Sequence, residues 1–299
     1  MTRVVVAGGT GLIGRALVAS LRADGIEVTV LSRRSRPESV RWDPGDPASL
    51  VSVVRDADAV VNVTGAPIGP LPWWLPGRRD AIVRSRVGTT ATLVAALERL
   101  EAAARPRVLV NASGTDVYTG LDATPADEAA DTSATPGFLA RLGRDWEAAA
   151  RRAEPLGVRV VSVRTSFVLA KGSPLLALFS LPTRLLLGGP IGGGRQWFSW
   201  IHLDDLVTAY RMAIDDERIS GPINATAPNP VRQADVARAM GRVLRRPSSF
   251  PVPAWPLRLV LGEQATLILG SRRVGPARLA ALGFQFAYAE IEAALRDAL

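Results

Sequence analysis

One stretch constrains this chain more than any other: Arg3-Val-Val-Val-Ala-Gly-Gly-Thr-Gly-Leu-Ile-Gly14. Val4 to Ala7 read as a short buried strand. Gly8, Gly9, Gly11 and Gly14 then make a turn, and a helical pattern follows at once with Leu17, Val18 and Leu21 on one face. A pyrophosphate can sit against backbone N–H groups at such a helix N-terminus, where the dipole favours an anion and side chains on the turn would block the approach. The spacing is G-x-x-G-x-x-G rather than G-x-G-x-x-G. A tight turn without a ligand would use the same glycines, but here they open a strand–helix pattern that continues, so a dinucleotide site is expected over Gly8, Thr10, Gly11, Leu12, Ile13 and Gly14.

The strands that follow fall at 26–31 (IEVTVL), 40–43 as a short third, 59–65, 107–112, 158–163 and 223–226, separated by helical stretches. The alternation predicts an α/β fold, a doubly wound parallel sheet of the Rossmann kind, with a second, smaller C-terminal domain. The dinucleotide domain is expected over 1–166 with a return at 201–226. The smaller domain takes 167–299, mainly 167–200 and 227–299, over the carboxyl ends of the strands, with the pocket between the two. Arg79 to Ala104 reads as one long helix, and Gly283-Phe-Gln-Phe286 as a strand before a last helix.

Ligands in open α/β sheets bind beyond the carboxyl ends of strands. An acid after the second strand would bind a ribose 2′-hydroxyl and repel a 2′-phosphate; this chain has Ser32, Arg33 and Arg34 there, which favours NADP(H) over NAD. Asp43 could meet the adenine or cap a turn. Val63, Thr64 and Gly65 end the fourth strand and should pass the cofactor. Trp73 and Trp74, in a Pro- and Trp-rich loop from Ala66 to Gly77, either wall a substrate pocket or anchor the loop. Ser113 and Tyr118, beyond the fifth strand, are candidates for substrate or nicotinamide contacts, or turn caps. His202 is the single histidine, with a core or cap role set against a catalytic one.

Composition closes off several classes. With no cysteine, no disulfide, thiolate nucleophile or thiolate metal site is possible, and no metal site is expected. The absence is compatible with the cytoplasm, the expected location. No apolar run reaches the ~18 residues of a membrane span, and the first apolar stretch ends in a glycine turn without a cleavage-site pattern. The net charge is +8, carried by 36 basic residues of which Lys171 is the only lysine. Residues 231–278 hold nine arginines against Asp235 and Glu263. That is either a basic face for an anionic ligand, membrane or nucleic acid, or a set of solvated helix faces; no aromatic interleaving or helix-turn-helix pattern supports nucleic acid.

Taken together, GGTGLIG at 8–14, LSRR at 31–34, NVTGAPI at 62–68, SRVGTT at 85–90, FLARLGRDWEAAA at 138–150, GGPIGGGRQWFSWIHLDD at 188–205 and GPINATAPNP at 221–230 resemble the extended short-chain dehydrogenase/reductases, in the NAD-dependent epimerase/dehydratase group. More narrowly, the chain is similar to an atypical subfamily, 39U, grouped with the nucleotide-sugar epimerases and carrying a C-terminal domain of unknown function. The resemblance implies NADP(H) binding, with Gly8 to Gly14 on the pyrophosphate, Ser32 and Arg33 on the 2′-phosphate, and Val63 and Thr64 on the adenosine side. Cofactor contacts of Arg86 and Phe167 rest on the resemblance alone.

One departure matters. The broad family uses a Tyr-x-x-x-Lys pair, the tyrosine exchanging a proton with substrate and the lysine lowering its pKa. Four residues beyond Tyr118, Tyr210 and Tyr288 stand Asp122, Ile214 and Glu292, and the pair's usual place holds Phe138, Leu139 and Gly143. Two readings stand. One is an NADP-dependent oxidoreductase or epimerase acting on a small molecule with Ser113, Tyr118 or His202 as its acid/base group. The other is a catalytically weak NADP-binding protein with a regulatory or interaction role.

Overall fold

A computed structural model describes residues 2–69, 72–121 and 125–299; Pro70 and Leu71 of the Pro/Trp loop, and Asp122, lie outside the described residues. The strands are β1 (Arg3–Ala7), β2 (Glu27–Ser32), β3 (Ser39–Arg41), β4 (Ala59–Asn62), β5 (Val108–Gly114), β6 (Arg159–Thr165), β7 (Phe167–Leu169), β8 (Trp197–Phe198), β9 (Trp200–His202), β10 (Gly221–Ala225) and β11 (Val231–Arg232). Seven form one sheet in the order β10-β6-β5-β4-β1-β2-β3. Every pairing in it is parallel, with Val4 to Ala7 of β1 set between Ala59 to Asn62 and Val28 to Leu31. A strand buried on both faces must be apolar throughout, and Val4, Val5, Val6 and Ala7 are fully buried.

Helices cover both faces. On one lie α1 (Leu12–Ala23) and, much later, α7 (Leu203–Asp215), whose Leu17, Leu21, Leu206 and Tyr210 share a core with Val4, Val6 and Val110. On the other lie α2 (Ala48–Val54), α4 (Thr89–Glu98) and α5 (Phe138–Arg151), which bury Leu50, Leu93, Leu97 and Ala150 against Val5, Val60 and Leu109. The expected long helix over 79–104 is broken up. It runs as α3 (Arg78–Val83), a π-helical turn at 84–88, then α4, with a separate 3-10 turn at Ala102–Ala104. A π turn inserts one residue into the helix and re-aims the side chains around it.

After β6 the chain leaves the sheet for α6 (Pro174–Arg184). After β10 it adds α8 (Gln233–Leu244), α9 (Ala254–Leu261), α10 (Thr266–Leu269), α11 (Ala277–Ala281) and α12 (Ile291–Ala298). Leu169, Leu176, Trp200, Val236, Met240 and Leu295 make a second core from these segments. The small ribbons β7–β9 and β8–β11 tie its halves together. Residues 283–286 form no strand: Phe284 and Phe286 pack on each other at 4.7 Å and, with Leu279, join the sheet's core instead of the second one. Residues 271–275 cross the carboxyl ends of the strands, where Arg273 and Gly275 bond the backbone of Ala126 and Gly275 accepts from the Asn224 side chain.

Candidate functional site

The glycine turn is built by close approach. Gly8 has φ +85°, and a Cβ there would lie 2.8 Å from the Val63 carbonyl; one on Gly14 would lie 2.2 Å from the Gly8 oxygen. These two glycines pack the turn. Gly11 does something else: it is exposed and stands as the N-cap of α1 with no side-chain cap. The helix's first N–H groups therefore face the carboxyl end of the sheet uncapped, with no acidic side chain in the first turn. Thr10, Leu12 and Ile13 are half-buried around that opening.

The next strand ends continue the line. Ser32 is buried, its Oγ accepting the N–H of Arg34, and Arg33 is exposed. Register sets Ser32 opposite Arg41, so β2 and β3 bring two guanidinium groups to one end. Arg33, Arg41, Trp42, Asp43, Pro44 and Ser49 line a cleft of about 410 Å³. Asp43 is held by the N–H of Gly45 at 2.8 Å. Arg41 was not readable from the sequence, because only the parallel pairing of a three-residue strand carries it to Arg33.

At the end of β4, Val63 and Thr64 are half-buried and Gly65 is exposed. The Thr64 hydroxyl is bound to Asn62 Oδ1 at 2.6 Å and lies 2.9 Å from the Thr89 hydroxyl. The π turn brings Ser85 and Arg86 to the same place: Ser85 Oγ accepts the Ala66 N–H at 2.8 Å, and Arg86 Nη1 donates to the Ala66 carbonyl at 3.0 Å. Arg86 also lies over the Trp146 ring, 5.3 Å from its centroid, and against Gly65, whose Cβ would sit 2.9 Å from Nη2. Its residue is 8% exposed, and its Nε is buried without a partner. Burial pulls its pKa down to about 10, with Asp116 opposing the fall. A buried guanidinium with an unspent donor beside a glycine fits an anionic group at this strand end.

Ser113 and Tyr118 are brought together, but inside a buried network. Ser113 Oγ donates to Glu147 Oε1 at 2.7 Å. Glu147 binds Arg164 in a fork, Nε to Oε1 at 2.7 Å and Nη2 to Oε2 at 2.8 Å. Arg164 Nη1 donates to the Tyr118 hydroxyl, which donates in turn to Asn224 Oδ1 at 3.0 Å. Burial disfavours charge on Arg164, yet Glu147 and Tyr118 outweigh it and its pKa ends above the ordinary value. On Tyr118 burial wins over the pull of Arg164, and its pKa is raised. Arg164 thus supplies a cation beside the tyrosine without producing an acidic phenol. Tyr118 is fully buried. Asp116, missed by the sequence reading, keeps some exposure at the same strand end and pairs with Arg272 across from the C-terminal segment.

His202 is not part of this group. Its Nδ1 accepts the Asp204 N–H at 3.3 Å, capping α7, and its Nε2 faces Asp297 Oδ2 at 3.1 Å. Tyr288 covers its ring at 3.7 Å between centroids. Among the described residues no hydrogen bond or ion pair joins it to Ser113 or Tyr118, so the geometry gives it a cap and a tether for α12. Phe167 is half-buried and packs against Phe179 and Phe198, at 5.5 and 5.1 Å. The paired tryptophans split. Trp73 is buried, bonded to the Ile68 carbonyl and set edge-on to Phe138, and anchors the loop; Trp74 is exposed and reaches the Val260 carbonyl at 3.2 Å.

The sheet order, the uncapped glycine turn and the cleft at the ends of β2 and β3 define a Rossmann-type doubly wound α/β protein. The NAD dependent epimerase/dehydratase family matches residues 4–225, and a domain of unknown function, DUF1731, matches residues 252–298. This chain belongs to the NAD dependent epimerase/dehydratase family. It is 38% identical to the Epimerase family protein SDR39U1 homolog, chloroplastic, of Arabidopsis thaliana, over 98% of this chain and 85% of that one. The crystal structure of human epimerase family protein SDR39U1 (isoform 2) with NADPH is 34% identical, with a TM-score of 0.89 over 99% of each chain. The nucleoside-diphosphate sugar epimerase from Corynebacterium glutamicum is 33% identical, with a TM-score of 0.80 over 100% of this chain and 58% of that one. No helix among the described residues is long and apolar enough to cross a membrane, and no group of His, Asp and Glu among them could hold a metal ion.

Proposed function

We propose that this chain binds NADP(H) along the carboxyl ends of β1 to β5 and is an oxidoreductase or epimerase on a small molecule, held where residues 167–200 and 227–299 close over the sheet. The carrying observation is the meeting of Arg33 and Arg41 in one cleft of about 410 Å³, with no acid at the end of β2. The uncapped N-terminus of α1 suits the pyrophosphate, and Arg86, with its unspent Nε, suits the part of the cofactor passing Gly65. NADP(H), when bound, supplies hydride exchange. The protein's own residues then have to hold the cofactor, exclude water and place a proton. With Ser113 and Tyr118 enclosed, Asp116 is a titratable side chain left partly open beside them.

NADPH relatedness in the human structure supports this reading of the cleft, and binding measurements test it. NADPH should bind much more tightly than NADH. Arg33→Ala and Arg41→Ala should each weaken NADPH at least about tenfold, the scale of one charge-assisted hydrogen bond, and leave NADH nearly unchanged. Equal losses for both cofactors overturn the assignment. The regulatory reading has its own observation: Ser113, Tyr118 and His202 are all spent on contacts within the chain. Tight NADPH binding without turnover on any carbonyl or nucleotide-sugar substrate would favour it.

A further inference from the structure

Eleven of the thirteen large apolar side chains exposed among the described residues come from Trp74, α6 with its following turn, and the 250–260 segment. These three places adjoin. Val252 donates to the Pro190 carbonyl and Phe250 to that of Gly188, so the chain after α6 runs beside the chain leading into α9. At the other end Gly69 lies against Leu175, and Trp74 bonds the Val260 carbonyl. Leu185, Leu186, Leu187, Phe250, Trp255 and Leu259 are each more than half exposed, Leu259 by 79%. Leu186 even takes φ 65°, a left-handed turn position at a helix end that glycine would fill without steric cost.

The same face is predominantly cationic, with Asp235 and Glu292 at its border. Residues 172–203 and 236–262 contain no Asp or Glu, but seven arginines. Arg238, Arg242, Arg245 and Arg246 line a cleft of about 590 Å³ beside Pro190. Arg238 and Arg242 have acidic partners, whereas Arg184, Arg195, Arg245, Arg246 and Arg258 make no ion pair among the described residues. Leucine and tryptophan beside unpaired arginine is the composition of a surface that dips its apolar side chains into a bilayer while its cations meet anionic headgroups. A second copy of the chain would set these arginines against themselves, and a nucleic acid would leave the leucines without a role. We propose that the face formed by α6, α9 and the 245–250 turn docks this protein peripherally on an anionic membrane surface.

Vesicle flotation of the full chain tests it, using phosphatidylcholine with and without phosphatidylglycerol as about one-third of the lipid. The chain should float with the phosphatidylglycerol vesicles, and at least about tenfold less with phosphatidylcholine alone or at high salt. Leu259→Ser with Trp255→Ser, and separately Arg245→Gln with Arg246→Gln, should each cut flotation by a similar factor at an unchanged thermal midpoint, since all four side chains are exposed. Several outcomes overturn the proposal. They are no flotation with either vesicle, flotation untouched by the apolar pair, and displacement by inorganic phosphate at constant ionic strength, which would assign the arginines to a small anion. A solution dimer that Leu259→Ser dissociates, or RNA binding in place of vesicle binding, would overturn it too.

Discussion

A Cβ on Gly143 of α5 would lie 2.7 Å from Cγ1 of Val117 and 3.9 Å from the Ser113 hydroxyl. Helix α5 therefore rests directly on the turn after β5, and no side chain can leave the helix at 143. One turn further on, the same helix face delivers Glu147 to Ser113 and Arg164. The contact leaves no room for a side chain at 143, and the buried cation beside Ser113 and Tyr118 comes from β6.

Gly143→Ala should therefore destabilise the protein. A helix-interior Gly→Ala change ordinarily gains about 1 kcal/mol, but overpacking a stiff buried valine costs about 1–3 kcal/mol. A net loss on the order of 1 kcal/mol is expected in denaturant midpoints, recovered in part when Val117→Ala is added. A single variant as stable as the parent would mean that the helix can move away.

The Glu147–Arg164 fork should show the asymmetry of buried ion pairs. Glu147→Gln leaves a buried guanidinium without its counter-charge and should cost about 3–5 kcal/mol. Ser113→Ala removes a donor from a carboxylate that keeps its arginine, and should cost about 1–2 kcal/mol. Urea unfolding of both variants checks the order; a reversed order would mean that Glu147 is not the anchor of the network.

What the sequence could yield divides along physical lines. The parallel strands were legible because burial on both faces demands unbroken apolar runs such as Val4 to Ala7 and Ala59 to Val61. The glycine turn was legible because its constraints are local. Arg41, Asp116 and the Ser113–Glu147–Arg164–Tyr118–Asn224 chain were not, since their meaning depends on partners as far apart as Tyr118 and Asn224, 106 residues away. The π turn at 84–88 escaped for a different reason. Val83 and Val87 keep a helical spacing through it, and the extra residue shows only when Ser85 and Arg86 clamp Ala66. Residues 283–286 read as a strand, yet Phe284 and Phe286 pack on each other and into the core beside Leu279 without forming one.

High pH should unfold this protein through its tyrosines. Burial raises the pKa of Tyr118 and of Tyr210, and Tyr288 is raised as well. An unfolded tyrosine loses its proton near 10. The folded chain keeps protons that the unfolded chain gives up, so stability falls as pH rises past about 10. Absorbance at the tyrosinate band should stay low past that point and then rise together with loss of far-UV signal. Ionisation at the ordinary midpoint with the fold intact would contradict the burial of the Tyr118 and Tyr210 hydroxyls.

The last prediction concerns the proton. Tyr118 is fully buried, donates to Asn224 and has a raised pKa, so Tyr118→Phe should lower stability by about 1–2 kcal/mol while leaving any NADPH-dependent turnover within about threefold. His202→Ala removes the cap of α7 and the contact to Asp297, and should likewise act on stability. Asp116 differs in kind: it retains exposure at the end of β5, next to Arg272 and within the field of Arg86. If the chain turns over a substrate, Asp116→Asn should lower kcat by about 10²–10⁴-fold, the range of a lost general acid or base, with NADPH affinity little changed. A screen of carbonyl and nucleotide-sugar substrates with NADPH, run on these three variants in parallel, decides among them. A large kcat loss in Tyr118→Phe, with Asp116→Asn near wild type, would return the role to the tyrosine and require its buried network to open during the reaction.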